Sequence, residues 1–595
     1  MKKLFSLIFV TFCLTSIYSQ SISYTLRMPK PQNHYFEVEM LISDFKENEL
    51  EVKMPVWAPG SYLVREFSKN VNLVKAFDEN GKVLDVVKKT KNAWIVKKGS
   101  AKKVKVNYEV YSFELSVRTS FLDLTHGYVS GTGVFMYVDK LKEKAGTLAI
   151  IPHESFKKVS TALPKGDEKM ASDNVFSYKF MNYDQLVDCP IEIGNQVVFD
   201  FMSEGVKHNV AMYAPGNYDI DVLKKDMANI TSTATKVFGE NPNKEYTFII
   251  HNVVDGQGGL EHCNSTTLSV NRWTYQGDEY IGFLSLVAHE YFHLWNVKRI
   301  RPIELGPFNY DAENYTSLLW VMEGFTSYYD ELLLRRAGYY TAEQMISKLN
   351  SSVNYVEGSE GSRVQPVAHS SFDAWVKAYR PNENSANTNM TYYSRGSMLA
   401  SILDAKIVQK FNAKKSLDDF MQKLYNDYYK KLNRGFSEME FQKALSDFMG
   451  EDMSSFFNDF VNGTKTPNFK EIFAPLGVKV DYTGSKKANF GASFGTSNGK
   501  TVIKGIRSNS SCENAGLSVN DEIIGINGYR VTQGEVEGIL AGTVEGESIN
   551  FLIAREDQLM EIVAKMGLYE RPSFKFTIET SKSNQNLFDY WMRVF

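Results

Sequence analysis

The sequence predicts a multidomain α+β chain, with an N-terminal antiparallel β domain, a mainly α-helical middle and a second, C-terminal β domain. Three observations carry that prediction. Short alternating apolar and polar segments dominate residues 21–200, helical periodicity takes over across 201–475, and alternation with glycine-rich punctuation returns over 478–565. A length of 595 residues accommodates three such domains.

The N-terminus comes first. Met1-Lys2-Lys3 is a short basic region, Leu4 to Ile17 is an apolar run, and small or polar Ser16, Ser19 and Ser21 follow. This pattern reads as a secretory signal over residues 1–19, cleaved near Ser19-Gln20, and implies an exported chain, periplasmic or secreted. An uncleaved membrane anchor is the alternative, but it wants a longer apolar run. In the β domain, Tyr35-Phe36-Glu37-Val38-Glu39-Met40 and Val104-Lys105-Val106-Asn107-Tyr108 alternate as strands do. Pro59-Gly60, Asn80-Gly81 and Pro164-Lys165-Gly166-Asp167 mark turns. Gly131-Thr132-Gly133 has no helix pattern after it, so it reads as a turn or bulge rather than a phosphate loop. No metal or nucleophile constellation stands out in this domain.

In the middle of the chain, apolar residues recur at three- and four-residue steps over Asp219–Phe238, Tyr280–Val297, Ser317–Arg336 and Ser397–Phe411. A polar stretch from about 357 to 391 interrupts them and reads as a long loop, either functional or plain surface. The third domain carries one short helical segment, Glu535–Leu540. The tail over 566–595 contains the alternating Phe574-Lys575-Phe576-Thr577-Ile578-Glu579 and an aromatic-rich end at Phe595, and reads as a docked segment.

Composition excludes several classes. The 67 Lys+Arg nearly balance 70 Asp+Glu for a net charge of −3, which leaves no basic footprint for nucleic acid or an anionic membrane. A 43% hydrophobic and 23% charged content is that of a globular chain, not a disordered one. No later segment approaches 18 consecutive apolar residues, so no transmembrane segment is expected in the mature chain. Outside the signal only Cys189, Cys263 and Cys512 remain, which is no disulfide framework. At most one bridge can form, and a Cys189–Cys263 pair stays open.

The decisive motif is Ala288-His289-Glu290-Tyr291-Phe292-His293. On a helix, His289 and His293 lie one turn apart on the same face, so both imidazoles can bind one Zn²⁺. Glu290, about 100° around the helix, can reach a water on that ion without ligating it. A catalytic zinc wants a third protein ligand and an open position. Glu323, a carboxylate inside the apolar Trp320-Val321-Met322-Glu323-Gly324-Phe325, fits because a buried unpaired Glu is costly. Asp330 and Glu331 compete for that role but sit among residues typical of an exposed face. Two weaker segments flank the motif. Gly258-Gly259-Leu260-Glu261-His262 follows a strand-like Tyr246–Ile250, and Tyr392-Tyr393-Ser394-Arg395-Gly396 opens a helix.

In that order, strand, Gly-x-x-Glu, His-Glu-x-x-His, Glu-Gly-Phe and Tyr-x-Arg-Gly resemble the gluzincin aminopeptidases, and the whole chain is similar to peptidase family M61, the glycyl-aminopeptidase-like enzymes. Met54-Pro55-Val56-Trp57-Ala58-Pro59-Gly60-Ser61-Tyr62 resembles that family's N-terminal signature, and Arg380–Ser385 resembles one of its later catalytic segments. Ala515-Gly516-Leu517 with Asp521–Gly528 resembles the core of a PDZ domain. The resemblance implies a thermolysin-like catalytic domain with one Zn²⁺ per chain on His289, His293 and Glu323. Glu290 would be general base and Tyr393 would steady the oxyanion. Glu261, with Gly258 and Gly259, would hold the free amine of a peptide whose first residue is small, Gly or Ala. His262 stands where the wider clan has Asn, and Gly258-Gly259 where it has Gly-Ala.

The partners implied are peptides with a free N-terminus, and a C-terminal peptide or an intramolecular segment for the PDZ-like domain, whose Phe490–Phe494 can form a carboxylate loop or a hairpin. A zinc endopeptidase with the same triad, its β and PDZ domains holding substrate, is the second reading. A non-catalytic PDZ binding protein is the third, and the intact Glu290 argues against it.

Overall fold

Along Lys103–Tyr111 every second residue is buried, Val104, Val106, Tyr108 and Val110, while the residues between face outward. That is the pattern of a strand with one covered face. The computed structural model describes residues 21–166 and 174–595, so the signal over 1–19 and Asp167 of one turn lie outside the described residues. The chain divides into two units. One contains the chain up to Val56, Glu66–Leu115 and Thr119–Asn195, and the other contains Trp57–Arg65, Ser116–Arg118 and Gln196–Phe595.

The first unit is built on a nine-stranded sheet and a four-stranded sheet. Nearly all its pairings are antiparallel, as alternation predicts. One is not, because Ser21–Arg27 runs parallel to Gly146–Ile151. A parallel neighbour cannot be reached by a hairpin, and here more than a hundred residues intervene. Gly131–Gly133 forms a short 3₁₀ turn.

The second unit centres on a five-stranded sheet of β1 (Val197–Ser203), β2 (Val206–Tyr213), β3 (Glu245–Val253), β4 (Gly259–Glu261) and β5 (Ser265–Asn271), in the order β1-β2-β3-β5-β4. β2, β3 and β5 are parallel, and β3 is buried from Tyr246 to Asn252 without alternation, as a strand covered on both faces must be. The short β4 is antiparallel to β5 and forms one edge.

Helix α1 (Ile220–Phe238) starts where Asp219 accepts from the amides of Asp221 and Val222, and stops at left-handed Gly239. Helix α2 (Gly277–Phe292) carries Asp278 and Glu279 in its first turn, favourable to its dipole. It ends five residues before the periodicity suggested, with His293 as its last cap. Helices α3 (Leu319–Arg336) and α4 (Ala342–Glu357) follow, then α5 (Tyr392–Lys410). α3 and α5 cross in backbone contact, since a Cβ on Gly324 would fall 2.4 Å from the Gly396 Cα. That crossing brings Glu323 beside Tyr392 and Tyr393.

The polar stretch over 357–391 is not a plain surface loop. It folds into short helical turns at Gly361–Val364, Val367–Phe372, Asp373–Trp375 and Ser385–Thr388. Its polar side chains serve the backbone around them. Ser371 Oγ accepts from the Trp320 amide at 3.0 Å, and Gln365 Oε1 from the Met390 amide at 3.0 Å.

Towards the C-terminus, β6 (Val478–Tyr482) pairs with β12 (Phe574–Ile578). Between them a β module runs β7 (Ala492–Ser497), β8 (Lys500–Ile506), β9 (Glu522–Ile526), β10 (Ser548–Arg555) and β11 (Gln558–Lys565), around a core including Phe490, Ile503, Leu517 and Phe551. Its helix α6 (Gln533–Gly542) starts on a Thr532/Glu535 capping box. The tail docks as expected. In α7 (Gln585–Trp591), Trp591 Nε1 donates to the Tyr328 hydroxyl at 3.1 Å, and the Phe595 amide donates to the Arg336 carbonyl at 2.9 Å.

Candidate metal centre and active site

His289 and His293 leave the last turn of α2 with ring centroids 4.7 Å apart. Each ring is fixed through its Nδ1. That of His289 donates to Asp330 Oδ2 at 2.9 Å, and that of His293 to the Asn296 carbonyl at 2.6 Å. A neutral imidazole that donates from Nδ1 presents an unprotonated Nε2. The two Nε2 atoms then lie 3.1 Å apart, with Glu323 Oε2 at 3.6 Å from one and 3.2 Å from the other. Three electron-pair donors converge on one point, so the donor set fits a divalent cation of the zinc type. The electrostatics agree. Burial alone would lower both imidazoles, yet Asp330 and Glu323 hold His289 well above its ordinary pKa, and Glu323 holds His293 up. Burial opposes ionisation of Glu323 too, but the two histidines bring it down to about 2. The negative surroundings favour positive charge at this point, which a cation supplies.

Asp330 corrects the sequence expectation. It is neither on an exposed face nor a rival ligand, because α3 places it, about two turns beyond Glu323, behind His289, where it orients the ring. Asn296 has a parallel role. Its carbonyl holds His293, while its Nδ2 donates to the Val321 and Met322 carbonyls at 2.9 and 3.0 Å, locking the post-helix turn to the helix that carries Glu323.

Beside this triad lies a pair of unsatisfied carboxylates. Glu261 and Glu290 are 4% and 5% exposed, and Glu261 Oε1 and Glu290 Oε2 have no hydrogen-bond partner. Both residues lie within 4.8 Å of each other and of His293 through their donor atoms. Burial raises Glu290 to about 7, with His289 and His293 pulling the other way. Gly259 makes this approach possible, since a Cβ there would fall 2.4 Å from Glu290 Cδ. Gly60, at φ +87°, closes on Glu261 in the same way, 2.6 Å from its Oε1.

A cavity of about 930 Å³ joins these groups, lined by Gly258, Gly259, Glu261, His289, Glu290, His293, Glu323 and Tyr393. Every predicted site residue therefore lines one space. The Tyr393 ring stacks on His289 with centroids 6.3 Å apart. Burial first, then the Glu323 charge, hold the Tyr393 hydroxyl well above its ordinary pKa, so it stays a donor.

Sequence reasoning missed the contributors from far upstream. Gly60 and Arg118 line the cavity, and Arg118 Nη2 reaches the Gly259 carbonyl at 3.4 Å. Tyr62 and Tyr379 stand near it, with rings 6.1 Å apart, and both phenols are raised by burial and by Glu323 and Glu261. The cluster Trp57–Tyr62 was legible as a motif, but nothing in its composition said that it joins the helical unit.

The Peptidase M61 N-terminal domain matches residues 23–195, and the M61 glycyl aminopeptidase model matches residues 282–399. Among solved structures, an aminopeptidase N family protein from Idiomarina loihiensis is 30% identical, with 96% of this chain and 100% of that chain covered and a TM-score of 0.88. An M1 zinc metallopeptidase from Deinococcus radiodurans is 13% identical, covering 75% of this chain and 94% of that one, with a TM-score of 0.49. Yeast LTA4 hydrolase is 12% identical, covering 77% and 69%, with a TM-score of 0.48. No curated protein matches the chain.

Proposed function

The chain belongs to peptidase family M61 and is a metallopeptidase of the aminopeptidase kind, and from that premise we propose that it is a zinc enzyme that removes small N-terminal residues, Gly or Ala, from peptides. The observation that carries the aminopeptidase reading is the buried, unpartnered Glu261 carboxylate beside Glu290 and His293. A peptide ammonium supplies the charge and the donors that this oxygen lacks, and it places the first peptide bond over the donor triad. The preference for a small first residue rests on the family description alone.

His289, His293 and Glu323 would hold one zinc ion, which when bound polarises a carbonyl and acidifies water. Glu261 anchors the amine, and the edge strand β4, with Gly258 before it, lies along the cavity, where the substrate backbone can pair. Glu290, raised to about 7, is matched to take a proton from the attacking water and return it to the leaving amine. Tyr393 donates its hydroxyl to the carbonyl oxygen as negative charge grows there. The PDZ identity of the β7–β11 module, and export through a signal at residues 1–19, belong to the same reading. The PDZ identity is supported by Ala515-Gly516-Leu517 and the β7–β11 order, and export by the residue pattern before Ser21.

The test is N-acetylation of a short Gly- or Ala-peptide. Free peptide should be cleaved and blocked peptide not; equal rates would mean an endopeptidase and remove Glu261 from amine recognition.

A further inference from the structure

A second cavity, of about 1040 Å³, adjoins the catalytic one, and Arg118 and Tyr393 line both. The two differ in charge. The catalytic cavity carries Glu261, Glu279, Glu290, Glu323 and Asp330 against a single arginine, Arg118. The second is lined by five cationic side chains and two carboxylates. One of those carboxylates, Glu360, is already engaged by Arg363 at 2.7 Å and the Tyr569 hydroxyl at 2.7 Å. The other, Glu383, is exposed.

Of the cations, Lys377 pairs with Asp373 at 3.1 Å, and Arg65 donates to Ser61 Oγ. Arg118, Arg507 and Arg571 have no carboxylate within ion-pair distance among the described residues. Arg118 and Arg507 are held in place, the first by the Gly259 carbonyl, while Arg571 is exposed. Arg507 lies over the Tyr569 ring at 3.9 Å and donates to Asn489 Oδ1 at 3.2 Å, so its position is set by neutral groups that leave its charge uncompensated. Arg571 packs on Gly358, where a Cβ would fall 2.5 Å from its Nε. Arg118 Nε is buried without a partner at the junction of the two cavities.

Three guanidinium groups line one open cavity, Arg118 and Arg507 half-buried and Arg571 exposed, and together they attract an anion. A carboxylate is the planar anion that a guanidinium fork matches, and peptides carry it. The polarity also runs the right way. Glu261 stands at the amine end, Tyr393 and Arg118 at the neck, and Arg507 and Arg571 on the wall beyond. We propose that this chamber recognises a carboxylate on the far side of the scissile bond, so that short peptides, negative beyond that bond and positive at the amine, are the preferred substrates. This rests on the aminopeptidase reading for the direction of the chain. The carboxylate has two sources, the peptide's own C-terminus or an Asp or Glu side chain.

The experiment compares Ala-Ala-Ala, its C-terminal amide and Ala-Ala-Asp-amide with the zinc-loaded full chain, alongside Ala-p-nitroanilide, which has no carboxylate. The free acid should exceed the amide about tenfold in kcat/KM, mainly through KM, and the advantage should shrink with added salt. Ala-Ala-Asp-amide matching the acid assigns the chamber to side chains, and matching the plain amide assigns it to the C-terminus. The Arg507→Gln/Arg571→Gln double variant should lose the preference, and Arg507→Lys should keep part of it. All three peptides within twofold of one another, or the preference intact in the double variant, would overturn the proposal. Binding is measured independently by calorimetry on Glu290→Gln, where equal affinity for acid and amide also overturns it. Failure to hydrolyse Ala-p-nitroanilide or any of the peptides, with the acid still bound more tightly, would instead sink the aminopeptidase reading and leave the chamber standing.

Discussion

The two walls of the catalytic cavity differ in how completely their polar atoms are satisfied. On the ligand wall, His289 and His293 are each held from behind, by Asp330 and by the Asn296 carbonyl, and the donors aim at one point. Beside it, Glu261 Oε1 and Glu290 Oε2 are buried with nothing to accept from. Leaving a polar atom so costs about 1–3 kcal/mol. One wall is thus prebuilt to grip an ion, and the other stays poised for groups that arrive with the substrate. Stability is given up where substrate must bind, and retained where geometry must not move.

The sharpest break in that comparison is Glu323→Ala against Glu290→Gln. The first should abolish both zinc content and hydrolysis, as should a chelator. The second should lower kcat by about 10²–10⁴ with zinc retained. Metal analysis beside the assay checks both, and zinc unchanged in Glu323→Ala would remove it from the ligand set. Next is Tyr393→Phe, expected to reduce kcat by about 10²–10³ with little change in KM. An unchanged kcat would exclude the hydroxyl from the reaction. Asp330→Asn should be milder, weakening zinc about 10–100-fold in competition with a chelator while leaving the fully loaded enzyme able to turn over.

The smallest effect lies behind the ligand helix. Buried His208 donates from Nδ1 to the Val206 carbonyl and accepts at Nε2 from the Tyr291 hydroxyl, and burial lowers its pKa to about 4. The unfolded chain, with an ordinary histidine near 6.5, binds that proton more readily than the folded one. Stability from this group is therefore full above about pH 6.5 and is lost as pH falls towards 4. Between pH 7 and pH 5 the loss is about 2 kcal/mol. Urea midpoints at the two pH values should shift less in His208→Gln, and an equal shift would show that the ring titrates normally.

Much of the architecture was legible because the periodicities were clean. The alternation at Lys103–Tyr111 and the helical steps of Ile220–Phe238 record which faces are covered. His289, His293 and Glu323 were legible as candidate ligands because a spacing of four on a helix, and a charge in an apolar run, are local facts. Asp330 was misjudged because its neighbours suggested an exposed face, and only the packing of α3 against α2 turns it towards His289. The stretch over 357–391 was misjudged because polar residues that serve the backbone look like those that face water.

Sequence by itself pointed to the succession of β-rich and helical segments and to His289, His293, Glu323 and Glu290 as candidates, since each rests on a local pattern, whereas the structure divides the chain into two units rather than three domains. The tertiary structure decided what stands across from them. Gly60 and Arg118 reach the cavity from segments more than a hundred residues upstream, Tyr62 stands near it, and the adjoining chamber receives Arg507 from the last β module and Arg571 from the strand that follows it. No local pattern encodes such meetings, because they depend on how separate segments pack, and side-chain periodicity reports burial without naming the partner.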